Sequence, residues 1–329
     1  MSILNLSFNN LITNLVCCTN HGYIIYTLNP NLEKKISNEM KGGIGLMKIF
    51  NKTNIAILVG GGETPFKSKD TLVLHDQSNK QDLIEIDMRE PIKNALIIKD
   101  MLVSVLEKKI CIFDWSGTLL DSKITYSNNK GICVVNGDIE KPIIATLGTK
   151  KGEVAIWCIK DDSYKTLVVH KSNIDVITIS RDGKYIATAS ETGTVVRVFN
   201  IETLNLEYEF RRGSKTAKIF DLCFNKDSTI LGCYSNNGTV HLFEIYNDIN
   251  LTKNNQSMLS GLKGYLPEYF SSQWGFKQIN IGNTSKAVAC FDDMNNLHIV
   301  LYDGTYYKIF NNENKYEDIA QGNLHINNK

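Results

Sequence analysis

Ile174-Asp175-Val176-Ile177-Thr178-Ile179-Ser180 is a run of branched residues that reads as a strand, and the residues after it decide the fold. Arg181-Asp182-Gly183-Lys184 is a turn whose glycine supplies a positive φ. Tyr185 to Ser190 is a second strand, Glu191-Thr192-Gly193 a second turn, Thr194-Val195-Val196-Arg197-Val198-Phe199 a third strand and Leu204 to Phe210 a fourth. The same order recurs downstream in Ile219 to Phe224, Ile230 to Ser235, Asn237-Gly238 and Thr239 to Phe243. It recurs upstream in Ile143 to Leu147, Lys151-Gly152 and Val154 to Trp157, and near both ends, in Leu15 to Tyr26 and in Leu297 to Phe310. Four short strands per unit is the pattern of a β-propeller. A sheet with two apolar faces is stable only when sandwiched between neighbours. The reading is therefore an all-β chain, a seven-bladed β-propeller of four-stranded antiparallel blades, with residues 1–329 forming a single domain.

Composition narrows the function. A net charge of +1 over 329 residues leaves no broad basic surface, so nucleic-acid binding is not expected. Any anion site must be local. The eight cysteines include no CxxC, and most sit in strand-like runs such as Ile110-Cys111-Ile112. They read as small buried hydrophobes, with neither a disulfide framework nor a metal site expected. Met1-Ser2-Ile3-Leu4-Asn5 lacks the charged start of a signal peptide, and the expected setting is the cytosol. No cofactor and no enzymatic constellation are expected: Gly60-Gly61-Gly62 lacks the Gly-Lys-Ser/Thr of a phosphate loop, and there is no Gly-x-Ser-x-Gly elbow around the scattered His75, His170 and Ser190.

Two places break the repeat. The segment 246–269 is a long connection in the sixth unit that holds Leu251, Met258, Leu259 and Leu262 among polar residues; a long loop with apolar residues of its own usually carries function. Phe210-Arg211-Arg212-Gly213 ends a strand with two adjacent arginines. Neighbouring side chains of an extended backbone point to opposite sides, so Arg211 and Arg212 can face two different pockets. Polar residues recur around them: His170, Ser190, Thr194 and Arg197 in one unit, then Ser235, Thr239 and His241 in the next, with Ser271 and Ser272 assigned to the latter's fourth strand. Guanidinium, hydroxyl and imidazole together suit a phosphorylated ring. Taken singly, each of these Ser, Thr and His residues also fits a blade-stabilising role. An acidic peptide gripped by the arginines is the alternative ligand.

These residues resemble the PROPPINs, the WIPI-type phosphoinositide-binding propellers, along nearly the whole chain. The strongest part is Ala187-Thr188-Ala189-Ser190-Glu191-Thr192-Gly193-Thr194 through Phe199, followed by Phe210-Arg211-Arg212-Gly213-Ser214; Gly42 to Gly45, Leu106 to Ile110, Ser271 to Phe276 and Asp303 to Lys308 add to it. The resemblance implies a propeller that binds phosphatidylinositol 3-phosphate and phosphatidylinositol 3,5-bisphosphate through two pockets. Arg211 would serve the first with Ser190, Thr194, Arg197 and His170, and Arg212 the second with Ser235, Thr239, His241 and Ser271. Where some members carry Ser-x-x-Arg, this chain has Ser271-Ser272-Gln273-Trp274, which removes a cation from the second pocket. The segment 246–269 corresponds to the family's membrane-inserting loop. The resemblance further implies a monomeric scaffold, reversibly bound to autophagic or endosomal/vacuolar membranes, with an autophagy lipid-transfer protein docking near blades 2 and 3.

Overall fold

Seven sheets hold every strand described in the computed structural model, which describes residues 2–28, 31–138, 140–245, 255–256, 273–313 and 315–326, with 255–256 and 273–274 described by backbone alone. No helix occurs among the described residues. Blade 1 is Ile3–Phe8, Asn14–Thr19, Gly22–Thr27 and Glu33–Glu39, and the later blades begin at Ile44, Asn94, Cys133, Ile174, Ile219 and Ala287. Each is antiparallel and in chain order from the central channel outward. The expected seven-bladed propeller of four-stranded blades is the fold observed.

The core lies between blades. Seven clusters of buried apolar side chains each join two consecutive sheets, because alternate residues of every strand face opposite neighbours. The cluster of Leu6, Leu15, Cys17, Ile24 and Tyr26 with Val300 and Leu324 closes the ring between the last blade and the first. Closure uses no shared strand, since blade 1 ends at Glu39 and blade 7 begins at Ala287; beside the packing, the Leu6 N–H and the Tyr26 hydroxyl donate to the Tyr302 hydroxyl and the His325 carbonyl.

Three boundaries differ from the sequence reading. The fourth strand of blade 5 is Leu206–Arg211; Leu204, expected as its start, has φ 60° and belongs to the preceding turn, its N–H donating to the Asn200 carbonyl. The fourth strand of blade 6 is Lys277–Asn280, beyond the expected Ser271-Ser272. Gln273–Trp274 instead pairs parallel with Phe210 and Arg211 on the outer edge of blade 5. An outer strand presents unpaired N–H and C=O groups, and this edge takes an added strand. The chain then returns to blade 6 through Gly275, where a Cβ would sit 2.8 Å from the Leu242 carbonyl oxygen.

Candidate functional site

The strand Leu206–Arg211 pairs with Val195–Asn200 so that Arg211 lies opposite Val195 and Glu209 opposite Arg197. Paired residues share a face. On one face Ile186 and Phe199 pack on blade 4, and Thr188, Ser190, Arg197, Glu209 and Arg211 follow the same alternation. On the other, Val196, Val198 and Phe210 pack on blade 6. Arg212 is the next residue, and its N–H donates to the Thr194 carbonyl at 2.9 Å. Its pKa is influenced by Cys233, and it in turn acts on His241, both of which lie on blade 6. The two arginines therefore occupy different clefts, one on each side of blade 5.

The cleft toward blade 4 holds Arg211, buried at 8% exposure. Beside it the Arg197 Nε donates to Glu209 Oε2 at 2.9 Å and its Nη1 to the Val169 carbonyl at 2.7 Å. His170 Nε2 and Thr188 Oγ1 are 3.0 Å apart. Burial, and secondarily the charge of Arg197, push the His170 pKa down to about 4, so this imidazole is neutral near pH 7. Ser190 Oγ shares a hydrogen bond with Thr192 Oγ1 at 2.9 Å. Thr194 contributes its carbonyl to the Arg212 and Gly213 N–H groups.

The cleft toward blade 6 is built on stacked rings. Tyr208, Phe210, Phe243 and His241 follow one another at centroid distances of 5.3, 4.7 and 6.3 Å. Arg212, at 4% exposure, donates from Nε to the Gly193 carbonyl at 2.8 Å and from Nη2 to the Lys215 carbonyl. Neutral carbonyls anchor this guanidinium without cancelling its charge. Burial lowers the pKa of Arg212, but arginine stays protonated in proteins. Next to it Ser235 Oγ, Thr239 Oγ1 and His241 Nε2 form a chain with two 3.4 Å separations. Bonds that long are weak, and the three groups retain capacity for a ligand. His241 is also pushed down to about 4, by burial and then by Arg212.

Two glycine turns lie against the connection that leaves their blade. Gly193 (φ 58°) turns the chain between the second and third strands, where a Cβ would meet the Ala217 carbonyl oxygen at 1.8 Å; Gly152 (φ 72°) does the same against the His170 carbonyl oxygen, also at 1.8 Å. Only glycine lets the connections after blades 4 and 5 close over these turns. A separate cavity of about 350 Å³ between blades 3, 4 and 5, lined in part by Tyr126, Lys130 and Asp175, includes neither arginine.

Ser271, Leu251, Met258, Leu259 and Leu262 lie outside the described residues. Ser190, Arg197 and His170 lie with Arg211 on the blade-4 side, and Ser235, Thr239 and His241 lie on blade 6; Thr194, expected beside Arg211, instead gives its carbonyl to the Arg212 and Gly213 N–H groups. Glu209 was not anticipated. Its signal was its position two residues before Arg211 in a strand, which puts both on one face.

A propeller with one buried guanidinium on each side of a single blade is the class these features define. Residues 2–274 match the family model PROPPIN, and the chain belongs to that family of phosphoinositide-binding scaffolds. It is 29% identical to SVP1-like protein 2 of Pichia angusta over 299 residues, 87% of this chain and 83% of that protein. It is 27% identical to Autophagy-related protein 18e of Arabidopsis thaliana over 311 residues, 93% and 83% of the two chains. The solved structure of Kluyveromyces lactis Hsv2 superposes with a TM-score of 0.77 at 20% identity, over 98% of each chain.

Proposed function

We propose that this chain reads 3-phosphorylated phosphoinositides, phosphatidylinositol 3-phosphate and phosphatidylinositol 3,5-bisphosphate, and so carries itself reversibly from the cytoplasm to autophagic or endosomal/vacuolar membranes. The observation behind the reading is that Arg212 is buried yet anchored by neutral carbonyls, beside a hydroxyl and imidazole set that suits a phosphorylated ring. Arg211 offers the second contact from the opposite side of the same blade. Two clefts on one rigid edge make the second binding event intramolecular, which multiplies affinity by about 10² to 10⁴ over either alone. The disc then stands edge-on to the bilayer and leaves its other rims for protein partners, among them an autophagy lipid-transfer protein at blades 2 and 3.

Liposome flotation tests this. Arg211→Thr with Arg212→Thr should abolish flotation on vesicles containing phosphatidylinositol 3-phosphate, and unchanged flotation would defeat the reading. An acidic-peptide site is separated from a lipid site by competition: soluble inositol 1,3-bisphosphate, the free headgroup, should displace the protein from vesicles.

A further inference from the structure

The geometry points to Glu209 as the residue that sets how many phosphates the blade-4 cleft accepts, an inference that rests on the headgroup reading above. Arg197 looks like a second phosphate ligand in the sequence, but two of its three nitrogens are already committed. Nε donates to the Glu209 carboxylate at 2.9 Å and Nη1 to the Val169 carbonyl at 2.7 Å. The two side chains are largely enclosed, at 26% and 20% exposure, so water screens the pair only in part. Both lie on the face that carries Arg211, and the imidazole of His170 is neutral there.

On this face the Glu209 carboxylate is paired with the Arg197 guanidinium. The blade-6 cleft has Arg212 with a neutral His241 and no such internal carboxylate among its named groups. Glu209 thus acts as a resident anion on Arg197. A ring that brings one phosphate to Arg211 leaves the Arg197–Glu209 pair undisturbed. A second phosphate turned toward Arg197 meets a carboxylate that already holds the guanidinium and repels like charge. The cleft is in this way biased toward rings that bring a single phosphate to it, and Glu209 is a specificity residue that acts through Arg197.

Glu209→Gln tests it, because the amide keeps the shape and an oxygen acceptor for Nε while removing the charge. Affinities for soluble inositol 1,3-bisphosphate and inositol 1,3,5-trisphosphate are compared by calorimetry in wild type and variant; the blade-6 cleft is common to both proteins and cancels. The ratio should move toward the trisphosphate by about fivefold, the size of one charge removed at close range in a partly screened site. In Glu209→Gln with Arg197→Met the gain should vanish, since the released group is Arg197. An unchanged ratio, an equal loss of both ligands, or a gain that survives Arg197→Met each overturns the inference, with a thermal melt excluding misfolding as the cause. If wild type binds neither soluble headgroup, the lipid reading itself fails and takes this one with it; if it binds both and the ratio stays fixed, only the role of Glu209 fails.

Discussion

Replacing Arg212 by threonine should cost stability as well as ligand binding, and the size of that cost comes from its contacts. The guanidinium donates to the carbonyls of Gly193 and Lys215 and so ties the turn of blade 5 to the connection leading into blade 6. A hydrogen bond from a charged donor contributes about 1.5 kcal/mol or more. Two give about 3 kcal/mol, reduced to about 2 kcal/mol by relief of the burial that already lowers the pKa of Arg212. A chain of 329 residues unfolds with an entropy near 0.7 kcal/mol/K at about 2.1 cal/mol/K per residue, so Tm should fall by about 3 °C. Differential scanning calorimetry reads this directly. Arg212→Lys should recover part of the loss, since an ammonium can reach one carbonyl, while headgroup affinity stays low because lysine cannot present a planar fork. A threonine variant melting within about half a degree of wild type would show that the two carbonyl contacts carry no stability. The practical consequence is that loss of vesicle binding in an arginine-to-threonine variant must be read at a temperature well below its own melt.

Two further predictions concern the histidines and the turn. His170 and His241 have pKa values lowered from 6.5 to about 4, so the unfolded chain binds protons first; their stabilisation is complete above about pH 7 and is lost as pH falls from about 6.5 toward 4, amounting to about 2 kcal/mol each at pH 5. Urea unfolding at pH 7 and pH 5 should therefore show a shallower loss in His170→Gln than in wild type; the opposing titration of Asp221, raised by burial to about 6, is common to both proteins and drops out of the comparison. Gly193→Ala combines φ 58° with a Cβ 1.8 Å from the Ala217 carbonyl oxygen, so it should cost about 3 kcal/mol or more and displace the carbonyl that Arg212 holds, seen as a lower Tm together with weaker headgroup binding; a normal melt would show that the connection can shift without penalty.

Much of the fold was legible because its signals are local. A strand of branched residues, a glycine turn and the next strand are written within about a dozen positions, and each blade repeats them. The division of Arg211 and Arg212 between two sides is equally local, since it needs only the alternation of a strand. What could not be read depends on pairing between distant segments. Gln273–Trp274 joins the edge of blade 5 rather than blade 6, a choice made by which edge stands open and by the passage at Gly275. The partnership of Glu209 with Arg197 depends on a bulge. At the far end of the hairpin Phe199 pairs with Leu206, but Val198 pairs with Tyr208 and Arg197 with Glu209, so one extra residue has entered the outer strand. If the same residues paired one-to-one from Phe199 and Leu206 with no bulge, Arg197 would stand opposite Tyr208 and Val195 opposite Phe210. A slip of one position carries every side chain to the other face. Arg211 would then look toward blade 6 and Arg212 toward blade 4, and Glu209 would leave Arg197 for the apolar side that Phe210 now fills. The sequence alone shows that two guanidiniums part company at the end of this strand; the bulge at Val198/Phe199 decides which cleft each one enters and that only the blade-4 cleft receives Glu209.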